Sequence, residues 1–295
     1  MNARCQFHTT CRRVLPALLW FTAFALLAPL NAADKIVVKG SDTLGAKLMP
    51  RLKEEFVAQQ GDRGVEVTFE IAAEGSRTGI TAIIDGTADL AMSSREVQPT
   101  ELIQARQKGI NLRAIPIGVD GIAIIVNEKN PITSLTSREV EMIFTGDIED
   151  WSAITTMSGK ISPYTRNTSS GTYSTFQDLA LYRRNYSPRA QKLAGNEQIA
   201  AEVAANPYAI GYVGLAYTHT PGVKVVPIDG KLPTDYQYPY ARPLYFYIDA
   251  SKNHPDVVQE FIDFTLSPKG QEVVESVDFL PVSRLKELFP ELASE

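Results

Sequence analysis

The stretch Ile36-Val-Val-Lys-Gly-Ser-Asp-Thr-Leu-Gly-Ala-Lys-Leu48 decides how the chain is read. Ile36 to Gly40 is short and apolar, the pattern of a buried strand, and it stops at a glycine. Ser41-Asp-Thr43 supplies residue types that cap a helix, and Leu44, Leu48, Leu52 and Phe56 then recur every four residues. Strand, small-residue turn and helix make a βα unit. The pattern returns twice. Val65, Val67, Phe69 and Ile71 alternate as in a strand, Glu74-Gly-Ser-Arg-Thr-Gly79 turns, and Ile80, Ile83 and Ile84 follow with helical spacing. Asp89-Leu-Ala-Met-Ser-Ser-Arg95 reads as a third strand ending in hydroxyl residues, with a helix from Glu101 to Lys108 behind it.

Further along, Ile115-Pro-Ile-Gly118 leads into Ile122-Ala-Ile-Ile-Val126, a continuous apolar run suited to a strand covered on both faces. Asp120-Gly121 interrupts it and marks a crossing into a second domain. There, residues 137–144 read as a helix, Arg166-Asn-Thr-Ser-Ser-Gly-Thr172 precedes a helix built on Phe176, Leu179 and Ala180, and Ala209-Ile-Gly-Tyr-Val213 reads as a strand. The extended run Tyr240-Ala-Arg-Pro-Leu-Tyr-Phe-Tyr247 carries the chain back, and helices over 257–266 and 271–276 close the first domain. Strands alternating with helices predict an α/β fold with a mostly parallel sheet in each domain.

Before the first strand, a basic segment ending in Arg12-Arg13 is followed by an apolar run from Val14 to Leu30 and by Asn31-Ala-Ala33. That order is the layout of a cleaved secretory signal peptide, so residues 1–33 are expected to be removed and the product to be periplasmic. Cys5 and Cys11 both lie inside the segment, which leaves the mature chain without a disulfide or a thiolate site. Its three arginines go with it, so the formal net charge of −5 becomes three units more negative, a poor match to nucleic acid. About 260 residues remain, more than one hydrophobic core usually serves, and two domains are expected.

Four turns share a composition: Gly40-Ser-Asp-Thr43, Gly75-Ser-Arg-Thr78, Ser93-Ser-Arg95 and Ser169-Ser-Gly-Thr172. Each falls between a strand and a helix, where backbone N–H groups and the positive end of the helix dipole favour an anion and hydroxyls add neutral donors. Ligands of open α/β sheets bind beyond the carboxyl ends of the strands, where such turns gather. Taken singly, each turn reads equally as ordinary helix capping. Arg166 adds a planar fork suited to two oxygens of one anion, with a surface ion pair as the plainer reading. The aromatic set Tyr236, Tyr238, Tyr240, Tyr245 and Tyr247 reads as core or hinge packing.

Together with Asp120-Gly121, these turns resemble the periplasmic phosphate-binding proteins of bacterial ABC uptake systems. The resemblance covers nearly all of the mature chain and is most specific over Arg166 to Thr172. It implies a two-domain, type II periplasmic-binding-protein-like fold with the ligand in a cleft between domains. The expected boundaries are 34–120 plus 246–295 for domain I and 121–245 for domain II. It also implies phosphate contacts from Ser41, Thr43, Ser76, Arg166, Ser170, Gly171 and Thr172. The family pattern has an aspartate after the serine of the third turn, where this chain has Ser94 and then Arg95. With Ser94 and Arg95 counted in the site, Asp120 becomes the expected acceptor for the proton that phosphate carries near neutral pH, and Asp42 the runner-up.

Three function classes follow. A binding protein would close on its anion by a hinge and deliver it, as a monomer and without any cofactor, to a membrane ABC permease. A sensor would use the same site for a signalling partner, and sulfate or molybdate would also suit hydroxyls and arginines. A phosphatase or serine hydrolase fits less well: the mature chain keeps only His219 and His254, has no cysteine and no Gly-x-Ser-x-Gly elbow, and shows no metal-ligand spacing.

Overall fold

The structure is a computed structural model that describes residues 34–290. The expected signal segment, 1–33, lies outside the described residues. Strand β1 (Asp34–Gly40) feeds helices α1 (Asp42–Gly45) and α2 (Leu48–Asp62), β2 (Val67–Ala72) feeds α3 (Ser76–Ile84), and β3 (Leu90–Ser93) is followed by α4 (Pro99–Gln107). β4 (Leu112–Gly121) is one strand through Asp120, and β5 (Ala123–Asn127) starts immediately beyond it. Then come α5 (Ser137–Thr145), β6 (Ser162–Arg166), α6 (Gly171–Leu179), β7 (Gln191–Leu193), α7 (Asn196–Ala205), β8 (Ala209–Val213) and β9 (Val223–Val226). β10 (Ala241–Asp249), α8 (Asp256–Leu266), α9 (Pro268–Ser276) and β11 (Leu280–Pro281) complete the layers.

The strands form two sheets, ordered β2-β1-β3-β10-β4-β11 and β7-β6-β8-β5-β9. The two orders match over five positions, β11 being the extra strand of the first sheet. In each sheet the first βα strand, β1 or β6, lies between the second and the third, parallel to both. A strand arriving from the other sheet, β10 or β5, comes next and runs antiparallel to its neighbours. The sheets are therefore mixed, not mostly parallel. A strand that enters from the opposite lobe has no crossover helix of its own to reverse it, so it pairs antiparallel. The chain leaves the first sheet after Gly121 and rejoins it at Ala241.

Apolar burial follows the sequence pattern. Leu44, Leu48, Leu52 and Phe56 sit against β1 and α8, and β5 is buried along its whole length, as an apolar run covered on both faces requires. Each such side chain contributes about 1.5–3 kcal/mol relative to exposure. One cluster continues from the first lobe through Leu215, Ala216 and Tyr217 to Val213 and Ile125 of the second sheet, and a separate cluster fills the far side of that sheet around Phe144, Trp151 and Phe176. Tyr238 and Tyr240 belong to the far cluster and Tyr245 and Tyr247 to the first lobe, the packing role expected of them, whereas Tyr236 is exposed.

Candidate functional site

Because the two sheets share one strand order, the turns after β1, β2 and β3 have counterparts after β6, β7 and β8. All six turns contribute to one buried cluster between the lobes. Gly40 opens the first at φ +138, and a Cβ there would stand 2.1 Å from the Met92 carbonyl oxygen, so only glycine allows this approach to β3. Beyond it, Ser41 Oγ donates to Ser94 Oγ at 3.1 Å, and Ser76 Oγ lies 3.3 Å from the same Ser94 Oγ while accepting from Ser94 N at 3.1 Å. Three hydroxyls from three turns of the first lobe thus meet. The second lobe closes over them: Thr172 Oγ1 lies 3.0 Å from Thr43 Oγ1, and a Cβ on Gly171 would stand 2.3 Å from Ser76 Oγ and 2.7 Å from Ser94 Oγ. At the lip, Arg77 N donates to the Ser169 carbonyl at 3.2 Å and Ser169 Oγ to the Glu74 carbonyl at 2.9 Å.

Arg166, at the end of β6, is only 1% exposed. Its Nε and Nη2 donate to the Ala194 carbonyl at 3.2 and 2.8 Å, and Nη2 lies 3.3 Å from Asp42 Oδ2. Its Nη1 is buried and has no hydrogen-bond partner. A buried guanidinium nitrogen without an acceptor is costly; any acceptor placed there removes the cost, and an anion does so most strongly. Burial lowers the Arg166 pKa from its ordinary value and Asp42 opposes the fall.

Asp120, fully buried at the end of β4, accepts from Leu215 N at 2.8 Å through Oδ1, and from Arg242 Nε and Nη2 at 3.1 and 2.7 Å through Oδ2. Burial raises its pKa, with Arg242 and the Leu215 N–H pulling the other way. Three of a carboxylate's roughly four acceptor positions are thereby taken, and one is left. A Cβ on Gly214 would stand 3.1 Å from both Asp120 Oδ2 and the Thr43 methyl, which places the carboxylate beside the hydroxyl cluster.

The structure thus brings Ser41, Thr43, Ser76, Ser94, Arg166, Gly171 and Thr172 together, with Asp120 adjoining. Ser170 caps α6 instead, its Oγ accepting from Thr172 N at 3.1 Å and Tyr173 N at 3.3 Å, which orients the turn that carries Gly171 and Thr172. Arg95 is the correction. Its guanidinium turns away from the cluster onto Glu101, at 2.8 and 2.7 Å, and onto the Glu96 carbonyl at 2.7 Å, because a buried cation needs a counter-ion and Glu101 supplies it.

Three members escaped the sequence reading. Arg242 reaches both Asp120 and, through Nη1 at 3.1 Å, the Ser94 carbonyl. Asn196, at the turn after β7, donates to Asp42 Oδ2 through N at 3.0 Å and Nδ2 at 2.8 Å, and accepts from Gly214 N at 3.2 Å. Leu215 offers only its backbone N–H. A signal for Asn196 was present: Gly195-Asn196 followed by Ile199, Ala200 and Val203 has the spacing of a helix start. Among the described residues no group of three or more His, Cys, Asp or Glu is placed to hold a metal ion.

A family profile described as a PBP superfamily domain matches residues 30–269. The phosphate-binding protein PstS of Pseudomonas aeruginosa is 31% identical over 270 residues, which cover 82% of this chain and 81% of that protein. A Clostridium perfringens protein assigned to phosphate ABC transport and solved with bound phosphate superposes with a TM-score of 0.76 at 28% identity, covering 84% of this chain and 99% of that one. An ABC-type phosphate transport receptor from Vibrio cholerae gives a TM-score of 0.67 at 25% identity, covering 84% of this chain and 100% of that one. The chain belongs to the PBP superfamily and, within it, to the family of the phosphate-binding protein PstS.

Proposed function

We propose that this protein captures inorganic phosphate in the cleft between its lobes and delivers it to a membrane ABC permease. The observation that carries the reading is the unpartnered, buried Arg166 Nη1, set in a two-lobed cluster of hydroxyls and turns. Closing on the ligand replaces its hydration shell with fixed donors, which gives tight binding without chemistry on the bound group. Relatives that carry phosphate in their names, and one solved with phosphate bound, support the choice of anion.

Selection against sulfate falls to Asp120. Phosphate near neutral pH keeps at least one proton and can donate it to the carboxylate's remaining acceptor position, whereas fully ionised sulfate meets only repulsion there. Arg242 offsets the cost of keeping that carboxylate buried. The protein acts in the periplasm as a monomer, after removal of residues 1–33, with no cofactor and no nucleic-acid partner. No helix among the described residues is long and apolar enough to cross a membrane.

The test is calorimetric titration of the mature protein, stripped of ligand by unfolding and refolding, with phosphate and separately with sulfate at equal ionic strength. Phosphate is expected to bind at about micromolar Kd or tighter, near −8 kcal/mol or better, and sulfate far more weakly. Binding of sulfate alone, or of neither anion, overturns the reading.

A further inference from the structure

Asp42 follows a serine at the start of a helix, the place of an ordinary cap, yet its side chain bonds elsewhere. Oδ2 accepts from Asn196 N at 3.0 Å, from Asn196 Nδ2 at 2.8 Å and lies 3.3 Å from Arg166 Nη2. All three donors belong to the second lobe, while Asp42 belongs to the first. The carboxylate is 17% exposed, so the contact is largely dry. Asn196 passes the connection on, since its Oδ1 accepts from Gly214 N, next to the Leu215 N–H that Asp120 holds. The Asp42 carbonyl also accepts from the Tyr217 hydroxyl at 3.1 Å, a further tie to the second lobe.

From this geometry we infer that Asp42 is a positioning residue supplied across the cleft, which orients Arg166 toward the anion and holds the lobes together once they have met. The inference rests on the phosphate-binding reading above and adds a role for a residue that touches no ligand. Arg166 is held by two acceptors, the Ala194 carbonyl from its own lobe and Asp42 from the other. In an open protein the first survives and the second does not. Arg166 is therefore loosely aimed while the cleft is open and fixed when it shuts. Asp42 also places a negative charge beside Arg166, 3.3 Å from Nη2.

A contact that forms only on closure acts on escape, not on encounter. Replacing Asp42 should therefore speed release of bound phosphate and leave its capture unchanged. Asp42→Ala, Asn196→Ala and the double variant would be loaded with radiolabelled phosphate, and release into excess unlabelled phosphate timed alongside the association rate. Asp42→Ala is expected to accelerate release about tenfold or more, the order of one lost charge-assisted hydrogen bond, with association within about twofold of the parent. The double variant should release no faster than Asp42→Ala alone, because both residues serve one contact. Asp42→Glu, which keeps the charge, should recover part of the slow release.

Unchanged release, association slowed as much as release is accelerated, or additive single effects would each overturn the inference. If the parent protein binds no phosphate, the functional reading fails by itself. The Asp42 contact is then decided by small-angle scattering in sulfate or molybdate, whichever contracts the parent, at a concentration that half-contracts it. A smaller contraction for Asp42→Ala than for the parent supports the cross-cleft contact, and equal contraction rejects it.

Discussion

The Arg242 guanidinium holds Asp120 Oδ2 through Nε at 3.1 Å and Nη2 at 2.7 Å, while its Nη1 donates to the Ser94 carbonyl at 3.1 Å. One side chain on the returning strand β10 thus holds both the Asp120 carboxylate and the backbone of Ser94, whose hydroxyl joins the cluster. Asp120→Asn turns one acceptor oxygen into a donor amide and leaves the buried Arg242 guanidinium without a counter-charge, which costs stability by about 3 kcal/mol or more. Sulfate, which donates no proton, gains from the same uncompensated cation. Phosphate affinity is expected to fall at least about tenfold further than sulfate affinity in calorimetric titration, a gap of about 1.4 kcal/mol or more. The comparison is made within one variant, so any general loosening of the fold cancels. Equal loss of both anions removes Asp120 from the acceptor role.

Arg95 and Glu101 form a buried ion pair at 2.7 Å, separate from the hydroxyl cluster. Arg95→Ala leaves Glu101 buried with the Gln98 N–H as its remaining donor, at a cost of about 3 kcal/mol or more in denaturant unfolding. Phosphate Kd should stay within about threefold of the parent, a change under about 1 kcal/mol. A large loss of affinity with unchanged stability would return Arg95 to the site.

These outcomes bear on what the sequence could reveal. The turns after β1, β2, β3 and β6 were legible because hydroxyls, glycine and arginine recur in all four, where helix capping accounts for any one of them but not for the shared set. The turns after β7 and β8 carry Gly195-Asn196 and Gly214-Leu215, whose contribution is a backbone N–H or one amide. Any residue but proline can supply an N–H, so beyond the helix start at Gly195-Asn196 composition does not mark these turns. Arg95 was misplaced because residue type does not say which way a side chain points, and Glu101, six residues on, decides that. The direction of β5 and β10 was hidden for a different reason. Pairing sense in a returning strand is set by the chain's route between lobes, which alternation of elements does not encode.

Gly171 opens α6 where the second lobe meets the first, and a Cβ there would come within 2.3 Å of Ser76 Oγ and 2.7 Å of Ser94 Oγ. Both oxygens sit on short side chains in buried turns, so neither can yield far. Gly171→Ala should therefore keep the lobes from closing while leaving each lobe folded. Its melting temperature without phosphate is expected to match the parent within about 2 °C, a shift worth well under 1 kcal/mol. Phosphate affinity should drop about a hundredfold, the scale of losing two or so charge-assisted hydrogen bonds. The radius of gyration should no longer contract on adding phosphate. Normal contraction with normal affinity would show that the cleft has room the structure does not indicate.

Part of the acid stability rests on a different cluster in the second lobe, at α5 and the residues just after it. Glu141 accepts from Arg184 Nη1 at 2.8 Å and from Arg138 Nη1 at 2.5 Å, and Asp147 accepts from Arg184 Nη1 and Nη2 at 2.7 and 3.1 Å. These bonds, Arg184's first, lower both carboxyls from their ordinary values of 4.5 and 3.8. A carboxyl whose folded pKa lies below its unfolded one stabilises the fold above the unfolded value, and that stabilisation disappears as pH falls through the folded one. The loss therefore begins near pH 4.5 and grows on further acidification. Arg184 and Arg138 are 42% and 64% exposed, so water and salt screen the pairs and the effect is modest. Arg184→Ala is expected to lower stability at pH 7 and to flatten the decline between pH 5 and pH 3, with the difference from the parent shrinking in 1 M salt. An Arg184→Ala protein whose acid unfolding curve parallels the parent's would assign the decline to other carboxylates.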